Sequence, residues 1–224
     1  MNNTEKQKIL SAIMIPVVIS IILWIIYFFD SKYQLNLYKY GVFPAKTESL
    51  IGIVLHPFIH DSKNVLHILN NTPPFFVLST CLFYFYREIA VKTIVLIWLI
   101  SGFWLWIAAE KAYHIGISGI IYGLAFFLFF SGVLRKDNKL MAITLLVSFL
   151  YGSMIWGIFP YDEKVSWQGH LYGSIIGIVL AYAFRKQGPQ RQIYQYELEE
   201  ENEIYEEEYW KVDEDNYVQE RKMI

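Results

Sequence analysis

Six stretches of this chain contain no Asp, Glu, Lys or Arg, and each is close to the length of a bilayer-spanning helix. They cover 9–29, 65–86, 93–109, 112–134, 140–161 and 165–184, with lengths of 21, 22, 17, 23, 22 and 20 residues. About 20 apolar residues carry a helix across the hydrocarbon core, so all six qualify, the third marginally. Backbone polar groups in lipid must be satisfied internally, and runs this long satisfy them as helices rather than as barrel strands. A 55% hydrophobic, 18% charged composition with positive mean hydropathy points away from an ordinary soluble domain. The pattern predicts an all-α membrane protein built as a bundle of six transmembrane helices.

Basic residues set the expected orientation. With the N-terminus cytoplasmic, ten basic residues fall on inside segments from Lys6 to Arg191, and six fall outside, four of them in one long loop. This asymmetry fits the positive-inside rule. Trp24, Tyr27, Tyr161 and Trp167 sit near span ends, where an interfacial aromatic belt belongs. The first run lacks a small-residue cleavage site after Phe29 and reads as a retained signal anchor. Cys81 is the single cysteine, so no intrachain disulfide forms, and a packing role suits it.

The expected organisation is a cytoplasmic N-terminus over 1–8, a membrane domain over 9–186, and an acidic cytoplasmic tail over 187–224. The tail holds 12 of the chain's 21 acidic residues, which reads as a solvated segment; its tyrosines also allow an amphipathic helix or partner site. The outside loop over 30–64 contains the apolar run 50–55, too short to span and suited to a re-entrant or interfacial element. No internal repeat and no nucleotide, metal or nucleic-acid signature is present, and the acidic tail argues against nucleic acid.

Chemistry-bearing residues stand inside the apolar runs, where polar groups are costly. Ser118 lies in Gly116-Ile117-Ser118-Gly119, near the beginning of a helix. Amides there lack intrahelical partners and favour negative charge, so an oxyanion formed by Ser118 could be held by its own N–H. His170 lies at a similar depth in the last run, followed by Gly173 and Gly177 on its own face. Gly119 and Gly123 form a matching small-residue face, and two such faces let helices touch closely enough to bring Ser118 to His170. Tyr122, one turn below Ser118, is placed to stack on the imidazole. The alternative for each is packing: serine and glycine in membrane helices commonly serve only that.

His67 and Asn71 are four residues apart, hence on one face near the outer surface, and both can donate hydrogen bonds to an oxyanion. A polar helix cap is the plainer reading. Pro73 and Pro74 follow and are expected to bend or loosen that helix.

On these three sets the chain resembles the rhomboid family of intramembrane serine proteases, over about residues 9–186 in the minimal six-helix form. The resemblance implies an intramembrane serine endopeptidase with a Ser–His dyad and no required third carboxylate. Ser118 would be the nucleophile and His170 the general base, with His67, Asn71 and the Ser118 amide as the oxyanion hole. Gly116, Gly119, Tyr122 and Gly173 would support the site. No cofactor and no metal are implied. The expected partners are single-span or multi-span membrane protein substrates and the lipid bilayer, not nucleic acid, in a prokaryotic cell (inner) membrane with both termini cytoplasmic. The 30–64 loop would be a partly embedded support, with Pro57-Phe58-Ile59-His60 just ahead of the second helix. It lacks the Trp-Arg pair of some members, and His60 to His67 spans about two residues more than the family pattern. The competing reading is a catalytically inactive rhomboid-like binder or escort of membrane proteins; a transporter would call for intramembrane carboxylates or a repeat.

Overall fold

A computed structural model describes residues 3–136, 156–160 and 166–188, with isolated positions among 141–149. The helices are α1 (Asn3–Tyr33), α2 (Gly52–Leu55), α3 (Val65–Phe85), α4 (Arg87–Ala108), α5 (Ser118–Arg135) and α6 (Trp167–Ala183). Five of the six expected spans therefore correspond to long helices, while most of the fifth, 140–161, lies outside the described residues. The chain divides into Met1–Gln190 and Arg191–Ile224, and the second unit, which carries most of the acidic tail, also lies outside them. Among the described residues the only β-pairing is an isolated bridge between Val42 and His114.

Within α1, and over α4 and α5, the chain is long and apolar enough to cross a membrane. The remaining pair is less so: α6 has 17 residues, and α3 carries His67, Asn70, Asn71 and two prolines in its first half. α1 is 31 residues, about 46 Å at 1.5 Å per residue, and overruns a hydrocarbon core of ~30 Å. Its apolar surface is largely open, with Leu10, Met14, Val18, Ile21 and Ile25 exposed, as on a lipid-facing helix, while Ala12 and Leu23 are buried in the core. Trp24 Nε1 donates to Thr72 Oγ at 3.1 Å and fastens α1 to α3.

Helix boundaries depart from the charge-free runs in two places. α4 begins at Arg87, six residues before position 93, because Ile89, Ala90 and Thr93 continue its buried face while Arg87, Glu88 and Lys92 stay on the helix. Tyr86 alone separates it from α3. α5 begins at Ser118, not at 112, because the preceding segment is held in extended pairing by the Val42–His114 bridge and then turned by Gly116 at φ +106°. α3 runs through Pro73 and Pro74 uninterrupted, although the carbonyls of Leu69 and Asn70 lose their i+4 donors there.

α5 and α6 form the most extensive helix pair, with α4 against α6 and α3 against both α1 and α5. Their closeness rests on glycine. A Cβ on Gly173 would fall on the Gly119 carbonyl, and one on Gly177 on the Gly123 carbonyl. Backbones at that separation admit no side chain between them. Phe75, Leu78, Leu82, Ile97, Ile121, Leu124, Phe127 and Leu128 fill the core below.

The 30–64 segment is a wrapped support. Its apolar run folds as α2 followed by a 3-10 turn, His56–Phe58, and packs along α4. Trp98 Nε1 donates to Ile53 O at 3.0 Å and Trp106 Nε1 to Lys46 O at 2.9 Å. Burial pushes His56 down to about 4, so it is neutral, its Nδ1 donating to Gly52 O at 3.0 Å.

Candidate active site

Ser118 is the first residue of α5, and Ile117 ahead of it provides no side-chain cap. The Ser118 and Gly119 amides therefore open the helix without intrahelical partners, while Ile120 N donates back to Ile117 O at 2.9 Å. Ser118 Oγ donates to His170 Nε2 at 2.8 Å, and His170 Nδ1 donates to the Gly157 carbonyl at 2.9 Å. A carbonyl only accepts, so these two partners assign the ring proton to Nδ1 and leave the Nε2 lone pair on the serine. Tyr122 stacks on His170 with centroids 4.1 Å apart and planes 9° from parallel. His170 and Tyr122 are both buried.

His67 and Asn71 reach the same place from α3. A Cβ on Gly116 would sit 2.9 Å from His67 Nε2 and 3.8 Å from Asn71 Nδ2, so only glycine lets these two groups close on the segment leading into Ser118. Its φ of +106° demands glycine independently. Asn71 Nδ2 is buried and has no hydrogen-bond partner, leaving an unused donor beside the segment that leads into Ser118. The Asp61 amide donates to His67 Nδ1 at a long 3.4 Å, which leaves Nε2 as the protonated, donating nitrogen of a neutral ring.

All eight residues expected from sequence thus converge at one end of the bundle: Ser118, His170, His67, Asn71, Gly116, Gly119, Tyr122 and Gly173. Gly119 and Gly173 contribute the helix contact rather than a polar group. Sequence reading missed the Gly157 carbonyl, which fell inside a run taken as a span. It also missed the supports of the lead-in segment. Gly116 N donates to His56 O at 2.8 Å, while His114 shares a hydrogen bond with Ser166 Oγ at 2.7 Å and another with Glu110 O at 3.0 Å. Burial lowers the pKa of His114. His60 is 2% exposed, lies edge-on to His67 at 5.1 Å, and is held down to about 3 by burial and by His67. The histidine-rich sequence ahead of α3 was the available signal for that layer.

A helical membrane bundle with a serine and a histidine hydrogen-bonded at one end defines a class of fold and site, and comparison with known proteins gives it a family. The rhomboid domain matches residues 47–187, and the chain belongs to the rhomboid family. An uncharacterized protein of Mycobacterium tuberculosis is 36% identical over 152 residues, 63% of this chain and 62% of its own length. Another uncharacterized protein, from Mycobacterium leprae, is 31% identical over 171 residues, 72% of this chain and 66% of that protein. A rhomboid-named protein of Acanthamoeba polyphaga mimivirus is 28% identical over 140 residues, 60% of this chain and 75% of that one. The chain thus spans a little under two thirds of the mycobacterial relatives it matches.

Proposed function

We propose that the protein is an intramembrane serine endopeptidase that cleaves membrane-protein segments through Ser118 and His170. The observation that carries this reading is the 2.8 Å hydrogen bond between Ser118 Oγ and His170 Nε2, in a site buried among membrane helices. A neutral hydroxyl is a weak nucleophile until a base takes its proton, and here the base is already in contact.

In the proposed reaction Ser118 Oγ attacks the substrate carbonyl carbon as its proton passes to His170 Nε2. The carbonyl oxygen becomes an oxyanion, which the Ser118 amide, Asn71 Nδ2 and His67 Nε2 are placed to receive. His170 returns the proton to the leaving amine and an acyl-enzyme remains. Water, deprotonated by the same nitrogen, then attacks the acyl carbon; the acid product leaves and Ser118 regains its proton. A helical substrate hides its carbonyls in its own hydrogen bonds, so it must unwind locally first. Clients with Gly, Pro or Ser near the end of a span are therefore favoured. The same reading places the dyad toward the outer face and both termini in the cytoplasm of a prokaryotic cell.

Purified protein in detergent, given a generic single-span membrane substrate, should cleave it and be labelled at Ser118 by a fluorophosphonate. Binding of clients without cleavage or labelling would favour the escort reading instead.

A further inference from the structure

An imidazole that takes a proton at Nε2 must hold its own at Nδ1. A ring without a partner at Nδ1 populates both tautomers and turns about its bond to Cβ. The helix bearing His170 offers the ring nothing for this. The two hydroxyls one turn away are engaged elsewhere, Ser174 Oγ on His170 O at 2.8 Å and Ser166 Oγ on His114 Nδ1. Among the described residues no carboxylate reaches the ring; its two hydrogen bonds are to Ser118 and to the carbonyl of Gly157.

We propose that this main-chain carbonyl is the positioning group of the dyad, and that residue 157 is glycine so that the carbonyl can approach. The proposal deepens the serine-hydrolase reading and rests on it. Gly157 sits in the 3-10 turn Trp156–Ile158, closed by a hydrogen bond from Phe159 N to Trp156 O at 3.0 Å. A Cβ at this position would collide with the Tyr122 hydroxyl and come within 3.1 Å of His170 Nδ1. The imidazole is thus held on its face by Tyr122 and on its edge by Gly157, and the two holders touch each other. Trp156 and Phe159 are 67% and 52% exposed, so the turn is anchored by Ile158, which packs against the core, and meets the imidazole through the main chain at 157. A neutral carbonyl supports the developing imidazolium less than a carboxylate does. Its loss should therefore cost less than the ~10⁴-fold seen when a triad carboxylate is neutralised.

The direct test leaves every side chain in place. Ile158 is replaced by its α-hydroxy acid, which turns the 157–158 peptide into an ester and weakens the Gly157 carbonyl as an acceptor. Nitrogen NMR of the His170 ring should show Nδ1 protonated in the native protein and a mixture of tautomers in the ester. For the ester, kcat on a membrane substrate should fall on the order of 10–100-fold with KM within about twofold. Gly157→Ala should also lose activity, and Tyr122→Phe in that background should recover part of it, because the colliding hydroxyl is gone. A native ring protonated at Nε2, or an ester with native kcat, overturns the role given to Gly157. Fluorophosphonate labelling keeps the two readings apart: a labelled protein with the wrong tautomer sinks only the positioning role, whereas an unlabelled one sinks the hydrolase reading and the proposal with it.

Discussion

At one end of the bundle α3, α5 and α6 begin; at the other, α5 and α6 end and α3 turns into α4. The first end presents helix starts, with Ser118 opening α5 without a side-chain cap and His67, Asn71 and His170 in the first two turns of α3 and α6. The second presents carbonyls, and a buried cation meets them. Arg135, 7% exposed, donates through Nη2 to Phe184 O at 2.7 Å and Gln187 O at 2.8 Å, with its guanidinium 4.9 Å from the centre of the Tyr86 ring. Lys92 lies over Phe184 at 4.8 Å. For α5 and α6 helix polarity agrees with this division, since helix starts favour developing negative charge and helix ends favour fixed positive charge. α4 runs the other way, and its first turns carry Arg87 and Lys92 at the second end. On the proposed function one end is arranged for a charge that appears during a reaction, and the other holds a charge that is permanent.

If the division is real, substitutions at the two ends must fail in different ways. The largest effect belongs to the dyad. Ser118→Ala or His170→Ala should reduce turnover by about 10³–10⁶-fold, and the double variant should be scarcely worse than either, since each is useless without the other. Thermal stability should change little. A folded Ser118→Ala protein cleaving at the native rate would end the protease reading.

Asn71→Ala comes next, lowering kcat about 10–1000-fold while His67 and the Ser118 amide remain. Full kcat on a slow substrate would remove Asn71 from the site. At the opposite end, Arg135→Met should cost about 2–3 kcal/mol of stability, the scale of charge-assisted hydrogen bonds, with activity per folded molecule within about threefold of native. A large fall in kcat at unchanged melting temperature would break the comparison.

The smallest effect is one of pH. His56 has an ordinary pKa of 6.5 when unfolded and about 4 when folded, so the unfolded chain binds the extra proton between those values. Its contribution to stability is whole above pH 6.5 and is lost as pH falls toward 4. One pH unit in that window is worth about 1 kcal/mol, or about 2–4 °C in Tm. His56→Gln should flatten the slope, and an unchanged slope would assign it to other groups.

Five of the spans and the pairing of Ser118 with His170 were legible because both are written in side chains: missing charges mark helices, and Ser118 and His170 interrupt apolar runs. What the sequence hid is written in backbone. Arg87 and Lys92 look like loop charges, yet they ride on a helix whose other face is buried. Arg135 also counts as a loop cation by sequence, but the carbonyls that bury it exist only once α6 has ended beside it. The Gly157 carbonyl leaves no trace in residue identity beyond the glycine itself.

Tyr86 joins α3 to α4 with a single residue, whereas 31 residues separate α1 from α3 and 9 separate α4 from α5. That end has no slack. Any parting of α3 from α4 is therefore a pivot about Tyr86, with displacement growing along the helices. Asn71 lies 15 residues up α3, about 22 Å by helical rise, so a tilt of about 5° carries it about 2 Å. An error of ~1 Å in a reacting geometry can cost ~100-fold in rate. A hinge with so short a link thus makes the placement of His67 and Asn71, the proposed oxyanion donors, sensitive to small changes in helix tilt, such as those set by the thickness of the surrounding bilayer.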